Sequence, residues 1–183
     1  MPAAWVGDPK TWAFQEGVES SEMNAEVRDR MMAIGPHLIA RKTADESVTS
    51  SSILQDDNHL NLPVLANEVW QIEYNLLYAA PAAADLRIAF TFPSGGRIDA
   101  SVFWFTAGTG VVNIARWSTA TSPAADQILD AGGASVRFLA PIRGLYANGS
   151  TGGTLTLQWA QGTSDATATT LYANSTLYAV KLA

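Results

Sequence analysis

From Leu38 onward strand signals are frequent, and from Leu60 apolar and polar residues alternate along much of the chain, which predicts strands. The clearest run puts Trp70, Ile72, Tyr74, Leu76 and Tyr78 on one face, with Gln71, Glu73 and Asn75 on the other. Leu86, Ile88, Phe90 and Phe92 repeat the period and end at Pro93-Ser94-Gly95-Gly96, a turn signal. Leu60, Leu62 and Val64 alternate with Asn61 and Pro63. Proline donates no ladder hydrogen bond, so this strand is expected to be short or at a sheet edge. Residues 98–105 turn apolar on both faces where Phe103, Trp104 and Phe105 are consecutive. Residues 111–117, 136–142, 155–159, 167–172 and 176–182 complete the series. About eight or nine short strands at spacings of about 8–14 residues, with no long helix between them, predict an antiparallel sandwich or barrel. The stretch from Ser118 to Asp130 exceeds a hairpin loop, so it is expected to cross between sheets as in a jelly roll.

Residues 1–36 have a different texture. Pro9, Trp12 and Phe14 follow Trp5 without a helical period, which reads as an extended arm whose aromatics need a surface to lie on. Ser20 or Ser21 then caps a helix with Glu22 in its first turn, and Gly35-Pro36 ends it. Met23, Val27, Met31 and Ile34 fall on one face of that helix. Helices this short are marginal alone, so the stripe must pack either on its own β-domain or on a neighbouring protein. Two units are therefore expected: an arm and helix over 1–36, and an antiparallel, jelly-roll-like β-sandwich over 37–183.

Composition narrows the function classes. The 183 residues are 48% hydrophobic and only 15% charged, so part of the surface is expected to be covered by another chain. Seventeen acids against eleven bases give a net charge of −6, which argues against a nucleic-acid partner. No run reaches the roughly 18 apolar residues of a membrane helix, and Met1-Pro2-Ala3-Ala4-Trp5 does not open a secretion signal. Cysteine is absent, which removes thiolate metal sites and cysteine nucleophiles.

The search for chemistry returns little. Asp56, Asp57 and His59 are metal-ligand types, but adjacent strand residues point to opposite faces, and a solvated turn is the expectation there. Neither a phosphate loop nor a nucleophile elbow occurs. Glu68 and Glu73 are separated by an odd number and do not make a glycosidase pair. No catalytic residue, metal or cofactor is expected. Asn148-Gly149-Ser150 and Asn174-Ser175-Thr176 match the glycosylation sequon and read as turn chemistry. Trp104, Trp117 and Trp159 are the candidates for a glycan-stacking platform, against the commoner role of sandwich core.

Three blocks carry a resemblance. Thr11-Trp12, Gly17-Val18, Met23-Asn24 and Val27-Arg28-Asp29 resemble the N-terminal signature of accessory virion proteins of tailed actinobacteriophages, although Glu16-Gly17 is inverted relative to it. Residues 41–50 and 54–60 resemble the start of the β-domain in that group, and residues 153–161 with 166–170 its C-terminal part. The resemblance implies a capsid decoration, head-fibre or minor tail protein at the virion surface, assembled in the host cytoplasm. It also implies a homotrimer of jelly-roll-like heads, attached by an N-terminal segment. On that basis Trp5, Trp12, Phe14, Met23, Val27, Met31 and Ile34 are the expected contacts with capsid or tail proteins. The strand around Phe103-Trp104-Phe105 is expected to face other copies. A head that binds host surface glycan is the alternative.

Overall fold

The computed structural model describes residues 37–106 and 108–182. The expected arm and helix, with all seven of their contact residues, lie outside the described residues. Among those described, the chain forms twelve strands and no helix. They are β1 (His37–Arg41), β2 (Glu46–Val48), β3 (Gln55–Val64), β4 (Val69–Ala80), β5 (Leu86–Thr91) and β6 (Arg97–Phe105). The second half holds β7 (Val112–Thr119), β8 (Gln127–Leu129), β9 (Gly133–Ala147), β10 (Gly153–Gln161), β11 (Thr169–Leu171) and β12 (Thr176–Lys181). All pairings are antiparallel, as expected.

The pairing is nested. β6 pairs β7, β5 pairs β8, β4 pairs β9, β3 pairs β10, β2 pairs β11 and β1 pairs β12. The described chain is thus one long hairpin, with its tip between β6 and β7 and its two ends side by side. Rolling that hairpin up adds the pairs β5–β10, β6–β9, β4–β12 and β4–β11. The result is a four-stranded sheet ordered β3-β10-β5-β8 and an eight-stranded sheet containing β1-β12-β4-β9-β6-β7. Strands β3 to β10, four in each sheet, make the eight-stranded jelly roll; β1, β2, β11 and β12 extend one edge of the larger sheet. A two-stranded hairpin is marginal in water, so the roll is stable because each sheet turns one face onto the other.

The alternating residues of β4 behave as their pattern predicts: Ile72, Tyr74, Leu76 and Tyr78 are buried. Across the sandwich, Phe90 of the small sheet lies 5.3 Å from the Tyr74 ring and 5.1 Å, edge-on, from Trp117 of the large one. Pro63 does lie in an edge strand, β3, but that strand runs ten residues. Its proline sits opposite Thr154 of β10. Three strands, β1, β2 and β8, were not expected from the pattern, since three to five residues barely complete a two-residue period. β8 falls within the stretch expected only to cross between sheets.

Candidate functional site

The outer face of the large sheet divides into a polar part and an apolar part. In the polar part, Glu73 and Arg143 pair at 3.2 Å across β4 and β9, and Arg97 and Asp99 pair at 2.7 Å with Ser118 bonded to both. Toward the hairpin tip the outward positions become apolar. Phe103 stands opposite Ile114, and Phe105 opposite Val112. β9 is paired to β6 as far as Val102 and Ile142; Pro141 and Leu139 lie one and three residues beyond, as Phe103 and Phe105 do on β6. Leu139 in turn faces Leu77 of β4. Phe105 is 53% exposed, Val112 56%, Ile114 62% and Leu139 49%, and Val111 at the tip is exposed as well. Large side chains clustered this way on a monomer surface mark an interaction site.

Alternation explains how one segment supplies both core and surface. Trp104 points inward between Phe103 and Phe105, which point outward, so the three consecutive aromatics are split between two faces. Of the strand expected to face other copies, it is Phe103 and Phe105 that point outward.

The three candidate glycan residues do not form a platform. Trp159 is fully buried, Trp117 is 3% exposed and Trp104 9%, all within the one core cluster. Trp117 also donates its indole N–H to the Ala125 carbonyl at 2.6 Å. Sugar stacking needs an open ring face, and these rings are covered by the opposite sheet.

The Asp56–His59 segment is a strand and not the expected solvated turn. Asp56 points out to Gln158, while Asp57 points in and is fully buried. Glu46, Asp57 and His59 bring potential ligand atoms within 4.8 Å of one another. The Nζ of Lys42, itself fully buried, already holds the cation's position: it donates to Asp57 Oδ2 at 2.7 Å and to the Glu46 carboxylate. Asp57 Oδ1 accepts the backbone N–H groups of His59 and Leu60 at 2.9 and 2.8 Å. His59 Nε2 bonds Thr43 Oγ1 at 3.0 Å, and Asn58 donates to Glu46. The segments 41–50 and 54–60 are therefore fastened together by one buried lysine.

Several other polar groups are structural. Glu68 accepts from the Leu65 amide, Trp70 and Lys181. Burial pushes its carboxyl up, but these donors outweigh burial and leave it below the usual carboxylate range. Burial raises the Tyr146 phenol to about 12, with its hydroxyl donated to Asn148. Asn148 spends its amide nitrogen on the Leu65 and Thr151 carbonyls, so this sequon is committed to joining loops. At the second sequon, Asn174 accepts from Arg41 and Ser175 is fully buried.

No family model matches the chain, and no curated protein does. Among solved structures, the chain is similar to the VP2 subviral particle of infectious bursal disease virus at 10% identity, with 80% of this chain and 40% of that chain covered and a TM-score of 0.22. The Gx strain of the same virus gives 13% identity, 80% and 39% coverage and a TM-score of 0.21. The chain thus spans about two fifths of the length of those structures. Likeness at this level does not bear on what the chain does.

Proposed function

We propose that this chain is a non-enzymatic structural protein of a phage virion. In this reading the leading 36 residues anchor it to capsid or tail proteins, and the jelly roll associates with its own copies, as a trimer. The same reading slightly favours decoration of the capsid, or a head fibre, over a minor tail protein. The observation that carries the reading is the apolar surface around Phe103, Phe105, Val112 and Ile114, which water alone does not stabilise. The resemblance of blocks within residues 11–29, and of residues 41–50, 54–60, 153–161 and 166–170, supports the virion setting. A glycan-binding head is not favoured, since Trp104, Trp117 and Trp159 lie in the core.

Two measurements test this. Sedimentation equilibrium of the full chain should give the mass of an oligomer of three copies at micromolar concentration. Removing the residues before Pro36 should leave the strand signal in circular dichroism intact while abolishing incorporation into particles. A monomer at all concentrations refutes self-association, and normal incorporation of the shortened chain refutes the anchor.

A further inference from the structure

Lys42, Asp57 and Glu46 are arranged for more than an ion pair. A fully buried amine nitrogen sits 2.7 Å from one oxygen of a fully buried carboxyl group, and a second carboxylate contacts the same nitrogen. The other oxygen of Asp57, Oδ1, lies under two backbone N–H donors, those of His59 and Leu60. Donors so placed stabilise the charge that develops on an oxygen when its carbon becomes tetrahedral. Among the described residues the buried Tyr74 hydroxyl has no hydrogen-bond partner, and burial, with the Asp57 charge adding to it, pushes its phenol up. Holding amine and carboxyl together in fixed geometry replaces an encounter between separate molecules, and exclusion of water removes the competing solvation of both charges.

We propose that Lys42 and Asp57 condense spontaneously into an intramolecular amide, with Glu46 as the catalytic proton carrier. Glu46 takes a proton from the Lys42 ammonium and passes it to Oδ2 of Asp57, and the free amine then attacks Cγ of the resulting neutral carboxylic acid. The C–N bond forms as the carbonyl electron pair moves onto Oδ1, where the His59 and Leu60 amides hold it. Of the three ammonium protons, one stays on the amide nitrogen and two are delivered through Glu46 to Oδ2. The C–Oδ2 bond breaks and Oδ2 leaves as water. One cation and one anion disappear together, nothing is oxidised or reduced, and a buried charge pair gives way to a neutral amide, which is cheaper to hold in a dry core.

The bond has a mechanical use. Lys42 directly follows β1, an edge strand of the large sheet held on its other side by β12 alone, and Asp57 lies in β3 at the edge of the small sheet. The amide would carry tension on the leading segment from β1 straight into the second sheet, bypassing the β1–β12 hydrogen bonds. This holds whatever the chain is anchored to.

Intact-mass spectrometry of the full-length folded chain is the test, with Lys42→Arg as the unreactive reference. The wild-type chain should be lighter than its sequence by one water, and Lys42→Arg should match its sequence mass. Glu46→Gln keeps the Lys42–Asp57 pair and the fold, checked by circular dichroism, and should also stay at full mass. Asp57→Asn should react with loss of ammonia in place of water. Tryptic digestion should yield a branched peptide joining Lys42 to Asp57. A wild-type chain at full sequence mass after prolonged incubation in the folded state overturns the proposal. So does a water loss that maps to a single linear peptide.

Discussion

Phe103 stands directly opposite Ile114 across β6 and β7, and both side chains point away from the core that their neighbour Trp104 enters. Opposed pairs of this kind normally stiffen a sheet from its buried side. Here the pair is on the outside, so its energy is realised only when something covers it. Burying a large apolar side chain is worth roughly 1.5–3 kcal/mol. Ile114→Thr with Phe105→Ser should therefore weaken self-association by roughly 100-fold or more, at about 1.4 kcal/mol per tenfold. Stability of the single chain should move by only about 0.5 kcal/mol, as for other exposed sites. Sedimentation across a concentration series, alongside urea unfolding, separates the two quantities; equal loss of both would place the pair in the fold and not the interface.

A second expectation concerns the tryptophans. Trp70, Trp104, Trp117 and Trp159 are all buried. In a chain carrying Trp5→Phe and Trp12→Phe, the remaining emission should be blue-shifted and nearly insensitive to iodide. Adding host-wall polysaccharide should leave it unchanged. Strong iodide quenching would mean that at least one ring reaches solvent. Trp159→Ala, which empties the largest fully buried side chain, should cost about 3–5 kcal/mol in chemical unfolding.

Asp85 gives a pH prediction. Burial raises its carboxyl above the ordinary value, Asp130 adds to the rise, and the bond from the Ala131 amide opposes it. The folded chain thus binds this proton more tightly than the unfolded chain. Stability carried by Asp85 falls as pH rises from the ordinary carboxylate value through the raised one, and the penalty is complete above it. Asp85→Asn keeps an oxygen for the Ala131 amide and suits the residue's φ of +59°. The variant should melt higher than wild type at neutral pH, and the gap should close in acid, where Asp85 is protonated. A gap that persists in acid would assign the gain to backbone preference instead of charge.

Much of the architecture was written in local alternation. All nine runs expected to be strands contain strands, most of them long enough for a half-buried strand to display its period; the exception, 167–172, holds only the three residues of β11. What alternation does not contain is partnership. That β1 closes on β12, and that the described chain nests as one rolled hairpin, depends on contacts between residues far apart in sequence, in the outermost pair more than a hundred positions. The apolar hairpin was half legible. Phe103-Trp104-Phe105 announces two apolar faces but not which one meets the opposite sheet, and only the inward burial of Val102 and Trp104 decides it. The Lys42–Asp57 pair was hidden for a different reason. A lone lysine beside Thr43 and an aspartate beside Asp56 look like ordinary solvated charges, and their burial follows from the approach of two distant segments.

A tight backbone approach in the large sheet gives the last prediction. Gly144 on β9 lies between Ile72 of β4 and Ala100 of β6, its opposite residues in the two neighbouring strands. A Cβ at this position would fall against the Asp99 carbonyl oxygen and the Cα and Cβ of Ala100. Those are backbone or near-backbone atoms, so no flexible side chain can swing aside to make room. Gly144→Ala must either part β6 from β9 or bend β9, and both responses loosen the pairing that carries the β6–β7 hairpin. The cost should be at least the roughly 1–3 kcal/mol of ordinary overpacking. It should be read as a lower urea midpoint with an unchanged slope. Because the hairpin bears the apolar surface, the same substitution should also weaken self-association at temperatures where the chain remains folded. Gly144→Ala with undiminished stability would mean that the two strands stand farther apart than described here.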